Sequence, residues 1–246
     1  MRSALPFALV VLSACRSGDD ASLRIAAASD TARAFEALAS AGHLDARWSF
    51  AASGVLAKQL AQGAPFDVFV SADPAFIDFA VKAGACDAAS RRLWAYGRLA
   101  LVGAAGVQLP TSLADVSAPR FAHIAIANPE TAPYGRAALQ ALARLHLDEV
   151  ARARLVPADS ILHALQFVDT GNAELGFVAR SLLPAERPML LVDAALHEPL
   201  EMAAVVCAPP ERRARAQAFV DTLVSEKAQA LLADYGYEPP PGGPAK

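Results

Sequence analysis

Small neutral donors recur in this chain where a helix follows an apolar strand: Ala28-Ser29-Asp30 after Leu23–Ala27, Ala52-Ser53-Gly54 after Trp48–Ala51, and Ala132-Pro133-Tyr134-Gly135 after His123–Ala127. Asp159-Ser160-Ile161 opens a further helix in the same manner. The first backbone N–H groups of a helix have no partner within it, and the helix dipole adds partial positive charge there. Several such termini converging on one cleft would hold an anion without any basic side chain. In open parallel sheets that cleft lies beyond the carboxyl ends of the strands. Taken singly, each segment is more simply ordinary N-capping by Ser or Asp, so the pattern carries chemistry only if the termini meet.

Catalysis does not find its parts. The histidines, His43, His123, His146, His163 and His197, have no metal-ligand spacing. The chain has neither a Gly-x-Ser-x-Gly elbow nor a phosphate-loop pattern. Its carboxylates are scattered, with no pair marked as acid and base. The expectation is a binding protein rather than an enzyme, working without a cofactor.

The elements that would position these donors alternate. Apolar runs at Leu23–Ala27, Trp48–Ala51, Val68–Ser71, Leu99–Val102, His123–Ala127, Leu175–Val178, Met189–Val192 and Ala203–Cys207 read as strands. Helical patterns cover Thr31–Ala41, Gly54–Gln62, Pro74–Ala83, Gly135–Leu145, Leu162–Thr170, Arg212–Leu223 and Ser225–Tyr235. Such alternation predicts an α/β protein with parallel sheets covered by helices on both faces. No internal repeat is visible, and 54% apolar residues are ample for buried cores.

The ends carry the localisation argument. Arg2, the apolar stretch Leu5–Leu12 and the tetrapeptide Leu12-Ser13-Ala14-Cys15 have the order of a secretory signal, too short to span a bilayer. The tetrapeptide resembles the lipobox of bacterial lipoproteins, which implies a signal peptide over residues 1–14, lipidation of Cys15 and a small polar tether over 15–21. The tail 239–246, rich in Pro and Gly, is expected to be disordered. Without residues 1–14 the chain has 21 basic and 25 acidic side chains, a net charge of −4 that gives no reason to expect nucleic acid or an anionic membrane surface as partner. No second stretch approaches the roughly 20 apolar residues of a membrane-spanning helix, so contact with the membrane is expected only through the lipid. Cys86, in a Gly-Ala-Cys-Asp turn, and Cys207, ending the apolar run from Met202, could pair in an oxidising compartment. Two cysteines 121 positions apart make no framework, however, and the pairing stays open.

The 24-residue run Phe50-Ala-Ala-Ser-Gly-Val-Leu-Ala-Lys-Gln-Leu-Ala-Gln-Gly-Ala-Pro-Phe-Asp-Val-Phe-Val-Ser-Ala-Asp73 resembles the signature block of the molybdate-binding proteins of ABC importers. Ala26-Ala-Ala-Ser-Asp30, Asn128-Pro-Glu-Thr-Ala-Pro-Tyr-Gly-Arg-Ala-Ala138, Gly171-Asn-Ala-Glu-Leu-Gly-Phe-Val178 and Ala233-Asp-Tyr-Gly-Tyr237 resemble its other blocks in the same order, over roughly residues 22 to 238. The resemblance implies a type II periplasmic-binding fold, two α/β lobes joined by two crossing strands with the ligand between them. Lobe one would hold about 22–98 and 206–238 and lobe two about 99–205, with crossings near Gly97–Val102 and Met202–Cys207.

The same resemblance implies a monomer that captures molybdate or tungstate and delivers it to the membrane permease of an ABC importer. Ser29 and Ser53 match the family's serine ligands, and Tyr134 and Ile161 match positions that bind through the backbone N–H. Some family members add a tyrosine hydroxyl where this chain has Ala179. Asp30 beside a dianion would repel it, so its side chain is expected to cap the helix while facing away.

Overall fold

The computed structural model describes residues 22–241. Cys15, the expected signal peptide over 1–14, the tether and the last five residues lie outside the described residues. The chain runs β1 (Leu23–Ala28), α1 (Ala32–Gly42), β2 (Ala46–Ala51), α2 (Ser53–Ala61), β3 (Val68–Ser71), α3 (Pro74–Lys82) and β4 (Arg92–Gly97). It continues through β5 (Leu99–Gly103), β6 (Ile124–Ala127), α4 (Pro133–Arg144), α5 (Asp148–Arg152), β7 (Leu155–Ala158), α6 (Ile161–Asp169), β8 (Leu175–Ala179) and β9 (Leu190–Leu191). β10 (Leu200–Val206), α7 (Pro210–Thr222) and α8 (Glu226–Asp234) close it.

The strands form two five-stranded sheets, in the orders β2-β1-β3-β10-β4 and β7-β6-β8-β5-β9. The continuous apolar runs of β3, β6 and β8 are buried on both faces, as strands covered by helices on each side must be. The expectation of parallel sheets holds only for β2-β1-β3 and β7-β6-β8. β10 runs antiparallel to β3 and β4, and β5 runs antiparallel to β8 and β9. The physical reason is the connection: a strand that arrives from the other sheet has no crossover helix and enters reversed. The two sheets thus share one strand pattern although the sequence shows no repeat.

Only Arg98 separates β4 in the first sheet from β5 in the second. On the return, β10 is paired within the first sheet from Leu200 onward, so most of the run Met202–Cys207 expected at a crossing lies in an interior strand of that sheet, between β3 and β4. Neither β4 nor β7 was expected. β7 carries Pro157, which reads as a strand breaker, and it is tolerated because β7 is an edge strand.

A buried carboxylate pins α7 to the first sheet. Asp67, just before β3, accepts from the Arg24 backbone N–H at 2.7 Å and from Arg212 Nε and Nη2 at 2.9 and 2.7 Å. Burial alone would raise the Asp67 pKa, but the Arg212 and Arg24 bonds overcome it and hold it at about 2.

Cys86 and Cys207, left open by the sequence, form a disulfide across 121 positions. The backbone beside it is knitted by Asp87 N–H donating to the Val206 carbonyl at 2.8 Å. Ala203 pairs with Ser71 at the carboxyl end of β3, whereas Val206 pairs with Val68 at its start. The disulfide therefore staples the end of the sheet opposite to the strand ends that carry Ser29 and Ser53. Reduction, or Cys86→Ser with Cys207→Ser, is expected to lower stability by about 2–4 kcal/mol, since closing a loop restricts the unfolded chain. Denaturant melts with and without reductant measure the loss, and an anion titration of the same samples should show unchanged affinity.

Candidate anion-binding site

The strand ends bring the four expected donor positions to one place. Ser29 follows β1, Ser53 follows β2 by one residue, Tyr134 lies in the first turn of α4 after β6, and Ile161 opens α6 after β7. All four border a single cavity between the sheets, together with Ala28, Asp30, Ala51, Ala52, Ala72, Ala132 and Pro133. Its volume is about 10 Å³, so the lining residues close tightly on one another. No Lys, Arg or His is among the lining residues.

Each donor is presented by local chemistry. Pro133 occupies the first position of α4, where its missing N–H is no loss, so the Tyr134 N–H is the first that the helix offers. α4 can start this close to β6 because residue 135 is glycine: a Cβ there would lie 2.0 Å from the Ala127 carbonyl oxygen. Ser160 caps α6 by accepting the His163 N–H at 3.3 Å, which leaves the Ile161 N–H without an intrahelical partner. The Ser53 hydroxyl accepts the Ala72 N–H at 3.1 Å, so its own proton remains to be donated. The Ser29 hydroxyl is buried and has no hydrogen-bond partner among the described residues.

The sheets meet around this cavity in a closed arrangement. Gly54 N–H on α2 donates to the Thr131 carbonyl at 2.9 Å, and Arg136 on α4 pairs with Asp73 at the start of α3. Neither bridge was foreseen, because each joins residues more than sixty positions apart and no local pattern signals it.

Asp30 corrects the expectation drawn from the sequence. Its side chain caps no helix; the residue is buried at the cavity lining, and its carboxylate is turned to two phenol hydroxyls. Its Oδ2 accepts from the Tyr237 hydroxyl at 2.8 Å and from the Tyr134 hydroxyl at 3.3 Å, while the Ser181 hydroxyl donates to its carbonyl at 2.7 Å. Fixed phenol donors satisfy a buried carboxylate without exposing it, which a cap at the helix surface would do. Burial pushes the Asp30 pKa up to about 7 even against these hydrogen bonds. The same burial, with the Asp30 charge beside them, pushes both tyrosines well above their ordinary value. The Tyr134 hydroxyl is thus engaged with Asp30. Its room comes from Gly97, where a Cβ would lie 2.1 Å from the phenol oxygen. Ala179 is buried at the end of β8 opposite Leu99, and its methyl group brings no hydroxyl there.

Known proteins share this architecture. The family of bacterial extracellular solute-binding proteins matches residues 23–238. The molybdate-binding protein ModA of Azotobacter vinelandii is 40% identical over 194 residues, 77% of each chain. The structure of the periplasmic molybdate-binding protein from Azotobacter vinelandii superposes with a TM-score of 0.83 at 30% identity, covering 89% of this chain and 99% of that one. The sulfate-binding protein SubI of Mycobacterium tuberculosis superposes with a TM-score of 0.73 at 17% identity, covering 88% and 86%, and shares the fold alone. A shared family profile over nearly the whole described chain, with the two-sheet architecture and closely related sequences, leaves one assignment: the chain belongs to the bacterial extracellular solute-binding proteins, in the family of the molybdate-binding protein ModA.

Proposed function

We propose that this chain is the extracytoplasmic receptor of an ABC importer, capturing molybdate or tungstate between its lobes and presenting it to the membrane permease. The observation that carries the reading is the Ser29 hydroxyl, buried and unpartnered among the described residues beside a cavity that Ser53 and the first N–H groups of α4 and α6 also border. An unsatisfied buried donor is unfavourable by about 1–3 kcal/mol, and an oxyanion in the cavity removes that penalty at several donors together. A dianion leaving water must recover its hydration from such fixed donors. The names of the related proteins support the choice of anion.

Neutral donors suit cargo that is later released, and the chain's own groups supply the site, so the role needs no cofactor. With no basic side chain in the lining, the spacing of the donors is what would discriminate against the smaller sulfate ion. Lobe closure around the ligand is a hinge motion whose closed state the permease recognises. Receptor and permease meet with the receptor as a monomer. The disulfide fits an oxidising compartment, and the segment ending in Cys15 supports a lipid anchor.

Calorimetric titration tests the site. Molybdate and tungstate should bind while sulfate at the same concentration does not. Ser29→Ala and Ser53→Ala should each weaken molybdate binding by about 10- to 150-fold, the equivalent of roughly 1.5–3 kcal/mol for a charge-assisted hydrogen bond. Ile161→Val, which keeps the N–H, should bind nearly as wild type, while Ile161→Pro should lose binding with its circular dichroism preserved. If both serine variants bind like wild type, the cavity is not the binding site. Equal binding of sulfate would defeat the argument from donor spacing.

The anchor has its own test. Cys15→Ser should move the protein from the membrane fraction to the soluble one. Unchanged fractionation, with no acyl group found on the wild-type N-terminus by mass spectrometry, would remove the anchor from the proposal.

A further inference from the structure

Asp30 poses a problem for any anion entering the cavity. It lines the same space as Ser29 and Ser53, it is buried, and its charge is met by two phenol hydroxyls and its own backbone N–H, all neutral donors. The bases on surrounding elements are engaged elsewhere. Arg33 on α1 lies over the Tyr235 ring, Arg136 on α4 pairs with Asp73, and Arg180 after β8 donates to the Leu183 carbonyl. His163 on α6 is exposed beside Asp159, Arg98 pairs with Glu238 in the C-terminal segment, and Arg47 on β2 is exposed. The acids Glu36 on α1 and Asp169 on α6 are exposed as well. An ionised Asp30 and a dianion would share one small cavity with no cation between them.

We propose that anion capture in this cleft is proton-linked, with Asp30 taking up one proton from solvent as the dianion enters and the Tyr237 hydroxyl setting the pH at which it does so. The inference rests on the reading of the cavity as a dianion site. The balance is simple: carboxylate, dianion and one solvent proton become a neutral carboxyl group and a bound dianion. Like charges disfavour joint ionisation, as in paired carboxylates that share a site. The tyrosine hydroxyls act the other way in the empty protein, since donors to a carboxylate favour its charged form. With its pKa near 7 in the empty cleft, Asp30 is mostly ionised at pH 8 and mostly neutral at pH 6. Proton uptake on binding is therefore expected to be about one per anion at pH 8 and to fade toward pH 6, with affinity weakening by up to about tenfold per pH unit above 7.

Molybdate titration calorimetry from pH 6 to pH 8.5, in two buffers of different protonation enthalpy, counts the protons. Wild type should show the uptake described, and Asp30→Asn should take up none and bind with an affinity that no longer varies with pH. Tyr237→Phe removes a donor to the carboxylate, so its uptake curve should move to higher pH. Binding at pH 8 without proton uptake, or uptake that persists in Asp30→Asn, overturns the proposal and leaves the anion site standing. Should Asp30→Asn fail to fold, an unmoved curve in Tyr237→Phe overturns it equally. Absence of molybdate binding at every pH would instead overturn the reading of the cavity, and the proton linkage with it.

Discussion

Buried hydrogen-bond donors without acceptors are what this architecture is organised around. Helix starts leave N–H groups unsatisfied by construction, and an ordinary protein exposes them to water or covers them with a side chain. Here α4 and α6 begin at strand ends that face a second sheet, and Ser29 adds a hydroxyl with no partner among the described residues. Open lobes would let water reach these groups; closed lobes exclude water and leave the donors wanting. The strand order follows from that constraint. Each parallel core, β2-β1-β3 and β7-β6-β8, sends its carboxyl ends toward the other, and the antiparallel strands β10 and β5 carry the connections without occupying that edge. Small residues do the rest: Ala28, Ala51, Ala52, Ala72 and Ala132 line the cavity, and Gly54 and Gly135 let backbone approach closely beside it.

Asp30 shows how the same enclosure shapes charge. Residues distant in sequence converge on it: Tyr134 from the second sheet's side, Ser181 from the turn after β8, and Tyr237 from the segment after α8. Such a knot couples the lobes through one acid. Because burial lifts its folded-state pKa far above that of an unfolded Asp, Asp30 favours the folded protein most at pH below about 4 and withdraws that contribution as pH rises through about 7. Asp67 has the opposite sign. Its pKa is held down at about 2, so its stabilisation is complete above the ordinary carboxylate range and is lost as pH falls toward 2. One carboxylate is tied to arginines and fastens a lobe; the other is held by neutral donors alone.

How much of this was legible depended on whether the cause was local. Ser29, Ser53, Tyr134 and Ile161 stand at strand-to-helix junctions, and junctions are written in a few consecutive residues, so these positions could be read locally, and all four line one cavity. β7 was missed because Pro157 forbids an interior strand but not an edge one, and edge position is a property of the whole sheet. The antiparallel entry of β5 and β10 was invisible for the same reason, since it depends on the chain passing between lobes. Asp30 was misjudged because repulsion from a dianion was weighed without the partners, and Tyr237 lies 207 positions away from it. The pairing of Cys86 with Cys207 likewise needs the register of β10 against β3, which no spacing rule supplies.

The contacts that bridge the closed lobes also bear on release. The Arg136–Asp73 pair is partly exposed, and pairs of that kind contribute about 0–1 kcal/mol. The Gly54 to Thr131 hydrogen bond adds about 0.5–1.5 kcal/mol net. The Tyr134 and Ser181 hydroxyls add bonds to Asp30 across the same junction. Each of these contacts is individually weak. A ligand shifts an equilibrium between open and closed lobes only by its differential affinity for the two states. A stronger latch, such as an arginine in the cavity, would tighten binding but would also hold the empty protein shut or the cargo in place. Neutral donors, a weak surface pair and one adjustable carboxylate keep capture and surrender within reach of each other.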